Sequence, residues 1–217
     1  MDWSPLWISL RVSVTATGIT LITGILAAHF CRKLREPVKS IFDGICTLPM
    51  VLPPTVLGFL LLVLLGRRNP LGRILSLAGI HIVFSWWGAV IAASTVSFPL
   101  MYRSVRASFD RIDPSVIYAA QTLGLSPLRI FSTIILPLSW SGIAAGLALS
   151  FARSLGEFGA TLMIAGNIPG KTTTIPIAIY FASEGNRFDV AGFWVLVILA
   201  VSFLTMTLLN LFERKKR

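Results

Sequence analysis

The sequence predicts an all-α, polytopic membrane protein, a single bundle of five transmembrane helices with a helical hairpin on its cytoplasmic side. Three observations predict this. Of 217 residues, 55% are hydrophobic and 13% charged, and the mean hydropathy is +0.80, too apolar for a water-soluble domain of this size. Five apolar runs, over 8–30, 44–66, 81–102, 138–165 and 190–212, reach the ~20 residues a helix needs to cross the hydrocarbon core. The longest punctuated interruption between them, 114–136, reads as two short helices. The length suits one domain, 1–217, with little room for a soluble appendage.

The formal net charge is +10, but the basic residues lie in the loops without aromatic interleaving. They exclude a nucleic-acid surface and report membrane orientation. Arg32, Lys33, Arg35 and Lys39 fill the first loop, Arg103, Arg106, Arg111 and Arg129 the third, and Arg214, Lys215, Lys216 and Arg217 the tail. The opposite side carries Arg67, Arg68 and Arg73, then Lys171 and Arg187. The richer side is cytoplasmic, so the N-terminus lies outside and the C-terminus inside.

The first run has no Lys or Arg before Arg11 and no small-residue cleavage pattern, so it reads as a retained span. Cys31 and Cys46 fall near inner span ends, and no His/Cys spacing for zinc occurs. The second run contains Pro49, Pro53 and Pro54. Prolines free carbonyls of the preceding turn, which in lipid need protein or water partners. The break is either a simple kink or, with Thr55, part of a translocation path.

In the fourth run, Gly142 and Gly146 give a small-xxx-small spacing suited to close helix approach. Further along, Arg153 and Glu157 are four residues apart on one face. Charges at that depth pair or face water. The readings are a structural ion pair, a span that starts earlier and leaves Arg153 at the outer surface, or a guanidinium beside the path that eases an anion across, near Thr161. The Gly-Lys-Thr at 170–172 resembles a phosphate loop, but Ala165 replaces its first Gly and no βαβ context surrounds it. Residues 173–182 read as a short outer helix or re-entrant piece.

The hairpin has local punctuation at every boundary. Asp113 is placed to cap the first helix, with Pro114 at its first position, and Gly124 to close it in the left-handed conformation. Ser126 and Pro127 repeat the start, and Pro137 marks a change of direction. Ile117, Ala120 and Leu123, then Leu128, Phe131 and Ile135, recur at helical spacing and predict one apolar face on each helix.

The hairpin spacing resembles the loop by which ABC-importer permeases dock onto their ATPases: Glu-Ala-Ala, three residues, Gly, nine residues, Ile, one residue, Leu-Pro. The matching positions are Ala119, Ala120, Gly124, Ile134, Leu136 and Pro137, with Tyr118 where the family commonly has Glu. Together with 47–68, 84–106 and 151–180, these stretches are similar to the molybdate ABC transporter permeases of ModB type; sulfate permeases look similar around 156–159. The resemblance implies a type I ABC importer permease fold and a homodimer of this chain in membrane lipid. It also implies two cytoplasmic ATPases and an extracytoplasmic molybdate-binding protein. It assigns ATPase coupling to Tyr118, Ala119, Ala120, Gly124, Ser126, Pro127, Leu136 and Pro137. ATP and Mg belong to the partner ATPase, with no cofactor on this chain. The translocation candidates are Pro53, Pro54, Thr55, Arg153, Glu157 and Thr161.

An ion-coupled secondary transporter would repeat its broken helix in both halves, and no second copy of the Pro53–Pro54 break is found. A membrane enzyme would need paired carboxylates, a metal cluster or a nucleophile, whereas Glu157 is the only carboxylate within a predicted span, and His29 and His81 stand apart.

Overall fold

The computed structural model describes residues 2–214, with side chains to residue 207. Every regular element in that range is helical. Helix α1, Ser4–Cys31, starts with Pro5 in its first turn and with the Asp2 carboxylate accepting from Ser4 N at 2.9 Å. Helix α2, Val38–Val51, leads through an extended Leu52 and Pro53 into α3, Pro54–Leu65. A short α4, Pro70–Leu77, precedes α5, Trp86–Asp110.

The hairpin is α6, Pro114–Thr122, then α7, Pro127–Ile130, a π turn Phe131–Ile135 and α8, Leu136–Leu138. Then follow α9, Trp140–Leu155, α10, Gly159–Ala165, α11, Ile175–Glu184, and α12, Phe188–Arg214. The tail charges Lys215, Lys216 and Arg217 lie outside the described residues.

Helix α5 is the axis of the bundle. Protein surrounds it: Ala89, Val90, Ala92, Ala93 and Ser97 are almost wholly enclosed, with α1, α9 and α10 packed against it. Small residues permit the close approach. A Cβ on Gly142 would lie 2.4 Å from Ser108 Cβ, and one on Gly146 2.8 Å from Met101 Sδ, so the 142–146 pair does seat α9 on α5. Ser154 Oγ donates to Ser97 Oγ at 3.1 Å and Ser150 Oγ to the Ser97 carbonyl at 3.4 Å, cross-linking the same helices.

The apolar interior falls into two separate cores. One gathers Ile8, Val12 and Ala16 of α1, Leu57 of α3, Ala89 to Val96 of α5, and Ala160 and Ile164 of α10. The other gathers Ala28 and Cys31, Cys46 of α2, Met101 to Phe109 of α5, Ile143 of α9, and Ala120, Ile130 and Ile135 of the hairpin. Because early α1 meets early α5 and late α1 meets late α5, these two helices run parallel. Between the cores lies a seam containing Ser97, Ser150 and Ser154, and every crossing segment except α1 and α12 is broken or proline-bearing near it.

These breaks modify the predicted spans. Ser4–Cys31 and Phe188–Thr207 are each long and apolar enough to cross a membrane alone. The 44–66 run is a pair of helices bent by 111° between Val51 and Pro54, because Pro53 and Pro54 lack the N–H groups that would continue the ladder. The 81–102 run begins later, at Trp86, and extends to Asp110. The 138–165 run is interrupted at Gly156–Phe158, and the chain turns by 70° where Leu138 meets Trp140, just after Pro137.

Candidate functional site

The hairpin caps form as the local residues dictate. Asp113 Oδ1 accepts from Ser115 N at 2.8 Å, Gly124 adopts φ +76°, and Ser126 Oγ accepts from Arg129 N at 3.4 Å. The Asp113 carboxyl is held below its ordinary pKa by the backbone N–H of Ser115. After α7 the ladder widens into a π turn, where the Pro137 ring crowds the Thr133 carbonyl and offers it no N–H.

The apolar positions of the hairpin divide between the bundle and the outside. Ala120, Ile130 and Ile135 are buried and Ile117, Leu125 and Phe131 partly so, but Leu123 is 81% and Leu128 77% exposed. The apolar face of each helix is thus divided, with Leu123 and Leu128 at its outward edge and Leu125 and Ile130 turned to the bundle. Leu123, Leu128 and Tyr118, the last 65% exposed, form an apolar tip. Ala119, Gly124, Ser126 and Pro127 are exposed with them, whereas Ala120 anchors the hairpin to the bundle. Leu136 and Pro137 lie elsewhere, lining an apolar groove of about 650 Å³ with Leu21, Ile25 and Trp140.

The path candidates converge at the seam. A Cβ on Gly159 would touch Pro54 Cβ and Thr55 Cγ2 at 3.2 Å, and one on Gly58 would lie 2.7 Å from Ala160 Cα. The α2–α3 break therefore sits directly against the α9–α10 break. Pro53 and Thr55 are exposed and Pro54 partly so, while Thr161 is enclosed within the packing of α10.

Arg153 Nη1 is 2.7 Å from Glu157 Oε2, off the hydrogen-bonding direction, and Glu157 Oε1 accepts from Ala160 N at 2.8 Å. One carboxylate thus closes α9 electrostatically and caps α10. Its neighbour Ser154 meets Ser97, midway along α5, so the pair lies level with the middle of that helix. Tyr180 of α11 packs over the same break, 5.1 Å between its ring centre and that of Phe158. The segment 173–182 thus forms a helix at 175–184 that reaches the break.

The Gly-Lys-Thr loop is spent internally. Lys171 N and Thr172 N both donate to the Ile168 carbonyl, and Thr172 Oγ1 accepts from Ile168 N at 2.9 Å while donating to the Gly166 carbonyl. Lys171 instead lines a cavity of about 790 Å³ with Ser4, Trp7, Arg11, Ser85 and Trp86, at the end where α1 begins.

Sequence reasoning missed the cluster around Arg106. It pairs with Asp43 of α2, lies 3.6 Å from Asp110 and donates to Tyr102 Oη at 3.4 Å. In the sequence Arg106 reads only as a topogenic charge, and nothing in its local spacing points to Asp43.

Residues 20–217 match the family described as "Binding-protein-dependent transport system inner membrane component". The chain is similar to the "Molybdenum transport system permease protein ModB" of Escherichia coli (strain K12), 47% identical over 180 residues, covering 82% of this chain and 79% of that protein. It is 40% identical over 205 residues to the "Putative molybdenum transport system permease protein YvgM" of Bacillus subtilis (strain 168), covering 94% and 90%. The "Sulfate transport system permease protein CysT" of Salmonella typhimurium is 31% identical over 228 residues, covering 99% and 82%. Among solved structures, a chain of the MetNI methionine ABC transporter superposes with a TM-score of 0.76 at 14% identity, covering 97% and 94%. A chain of a bacterial alginate ABC importer gives 0.77 at 18%, covering 99% and 80%. These two likenesses carry the fold, that of a type I ABC importer permease.

Proposed function

Because the chain belongs to the binding-protein-dependent transport system inner membrane component family, a set of multi-pass permeases of the inner membrane that leave ATP hydrolysis to a separate subunit, we propose that it imports molybdate by alternating access. Two copies of the permease would stand on two cytoplasmic ATPases, where ATP and Mg act, and would receive the anion from an extracytoplasmic molybdate-binding protein. The N-terminus would lie outside and the C-terminus in the cytoplasm, the orientation favoured by the charged loops.

The observation that carries the substrate is the gradient of similarity, 47% to a molybdenum permease against 31% to a sulfate permease. The exposed tip of Tyr118, Leu123 and Leu128 supports docking of an ATPase there, through apolar contact in place of the ionic one that a Glu at position 118 would offer. The broken helices meeting at Thr55, Gly159 and the Arg153–Glu157 pair support a gate at that level, since irregular backbone at membrane depth persists where it is buried in protein or lines a cavity. Nucleotide-driven closure of the ATPases would move the hairpin and exchange the two states of that gate.

The test is ATP-driven uptake of labelled molybdate into proteoliposomes holding the permease, its ATPase and its binding protein. Uptake blocked by tungstate and unaffected by excess sulfate is expected. Block by sulfate would move the system to sulfate or to broad oxyanion transport, and uptake that needs an ion gradient in place of ATP would overturn the importer reading.

A further inference from the structure

We infer that Arg106 is a positioning residue for transport: its ion pair with Asp43 ties α2 to the hairpin-bearing half of α5, so that both move as one body. The inference rests on the alternating-access reading and extends it to a mechanical part that neither composition nor family pattern identifies.

The argument begins with the two cores. The core at the start of α1 holds α3, α10 and the first half of α5 together, with Phe84 N donating to the Ile164 carbonyl at 2.9 Å and Gly58 seated on Ala160. The core at the hairpin end holds the second half of α5, α2, and the hairpin. Helix α1 spans both halves unbroken and α9 passes into α10 across them; two further links are interrupted close together. Pro99 interrupts the ladder inside α5, where it cannot donate to the Thr95 carbonyl. Leu52 and Pro53 are extended between α2 and α3, at the 111° bend. Both are places where a missing proline N–H removes a backbone hydrogen bond that would resist a change of angle.

Hairpin motion reaches α5 through Phe109, whose ring centre is 6.2 Å from that of Phe131, and through Ala120, Ile130 and Val105 in the shared core. It reaches α2 by a narrower route. Helix α2 meets the bundle along Phe42, Asp43 and Cys46, while Ile41, Ile45, Leu48 and Met50 face away from this chain's packing. Within that strip, Phe42 stands edge-on to Tyr102 at 6.4 Å, a contact that tolerates sliding, and Cys46 is small. Asp43–Arg106 is the directional link. Arg106 is itself aimed by Tyr102, which is wholly buried, and by Asp110, one turn further along α5. The charged groups facing it from packed elements are therefore Asp43 and Asp110. Side chains of Arg106 and Asp43 are 21% and 38% exposed, so the pair is partly screened by solvent. Its contribution is directional: it fixes the register of α2 against α5.

The experiment uses the full assembly of permease, ATPase and binding protein in proteoliposomes, with Arg106→Gln, Asp43→Asn, the double variant and Arg106→Lys. Uptake in the two single variants is expected to fall by about tenfold, the scale of a typical coupling energy, with ATP hydrolysis largely kept, so that ATP consumed per anion rises. The double variant is expected to be no worse than either single one, as for residues acting as a unit, and Arg106→Lys to recover most of the loss. Amide exchange supplies a readout that does not depend on the substrate. In the wild type, protection across residues 38–51 is expected to change when nucleotide binds, and in Arg106→Gln that change is lost while the hairpin still responds. Wild-type uptake and stoichiometry in the single variants would overturn the inference, as would a parallel fall of uptake and hydrolysis not relieved by Arg106→Lys. So would an α2 that does not respond to nucleotide in the wild type. A wild-type assembly that hydrolyses ATP without uptake would instead defeat the importer reading, and the exchange experiment would still decide whether the clasp joins α2 to α5.

Discussion

Arg153 and Glu157 share one ion pair but not one environment: the Glu157 side chain is 1% exposed and that of Arg153 34%, with 2.7 Å between Nη1 and Oε2. The carboxylate is therefore the buried partner, and the guanidinium is the one that meets whatever lies outside this chain's packing. Removing the cation strands a buried anion, which is among the costlier single changes. Arg153→Ala is expected to lower stability by about 3 kcal/mol and to reduce transport. Glu157→Gln, which keeps an acceptor for Ala160 N, is expected to be milder. Thermal unfolding of the detergent-purified complex, read beside uptake, distinguishes them, and unchanged transport in both Arg153→Ala and Glu157→Ala would remove the pair from the pathway.

The hairpin tip separates docking from folding. Leu123→Asp and Leu128→Asp place charges on exposed positions, so the permease is expected to fold normally but to lose copurification with its ATPase. Ala120→Asp buries a charge in the hairpin core and is expected to destabilise the permease by several kcal/mol. Equal copurification of wild type and Leu123→Asp would move the docking surface elsewhere.

Helix contact at the seam depends on the absence of a side chain at residue 58. Gly58→Val drives atoms against the Ala160 backbone, which lies 2.7 Å from the position of a Cβ. A loss of about 1–3 kcal/mol is expected from overpacking, with transport lost in parallel. Gly18 faces open space, so Gly18→Ala is expected to be neutral or stabilising by about 0.5–1 kcal/mol. Melting curves of the two variants give the comparison directly.

The first hairpin helix carries a pH limit. The Asp113 carboxyl lies below its ordinary value of 3.8 because Ser115 N–H stabilises the charged form. A carboxyl depressed in the folded state contributes stability that is present above the unfolded value and is lost as pH falls through the folded one. Cap strength is thus expected to be constant across neutral pH and to fail only in acid. Asp113→Ala removes it at every pH, and faster amide exchange at Ser115 in that variant at neutral pH is the measurement.

Much of the fold was legible because it rests on contacts a few residues long. Asp113 with Ser115, Gly124 at its turn and Ser126 with Arg129 interact within their own helix ends, so spacing alone placed them. The prolines at 53 and 54 marked a break for the same reason. What the sequence did not reveal was the size of that bend, 111°, or that the break would lie against Gly159 of another helix. Periodicity placed Leu123 and Leu128 on an apolar face but could not say that this edge of it would stay exposed, because that depends on how the hairpin seats on the bundle.

By itself, then, the sequence determined that this chain enters a membrane, how many apolar runs it offers, and where a capped hairpin interrupts them. Those properties are sums over composition, span length and local hydrogen bonding, each complete within one stretch of chain. Tertiary structure decided which residues share a seam: Ser154 with Ser97, 57 residues apart, and Asp43 with Arg106. It also decided that Glu157 is the buried member of its pair. Such pairings depend on how one helix is rotated against another, and that rotation is set by packing around α5 as a whole, where small residues allow approach and larger ones forbid it.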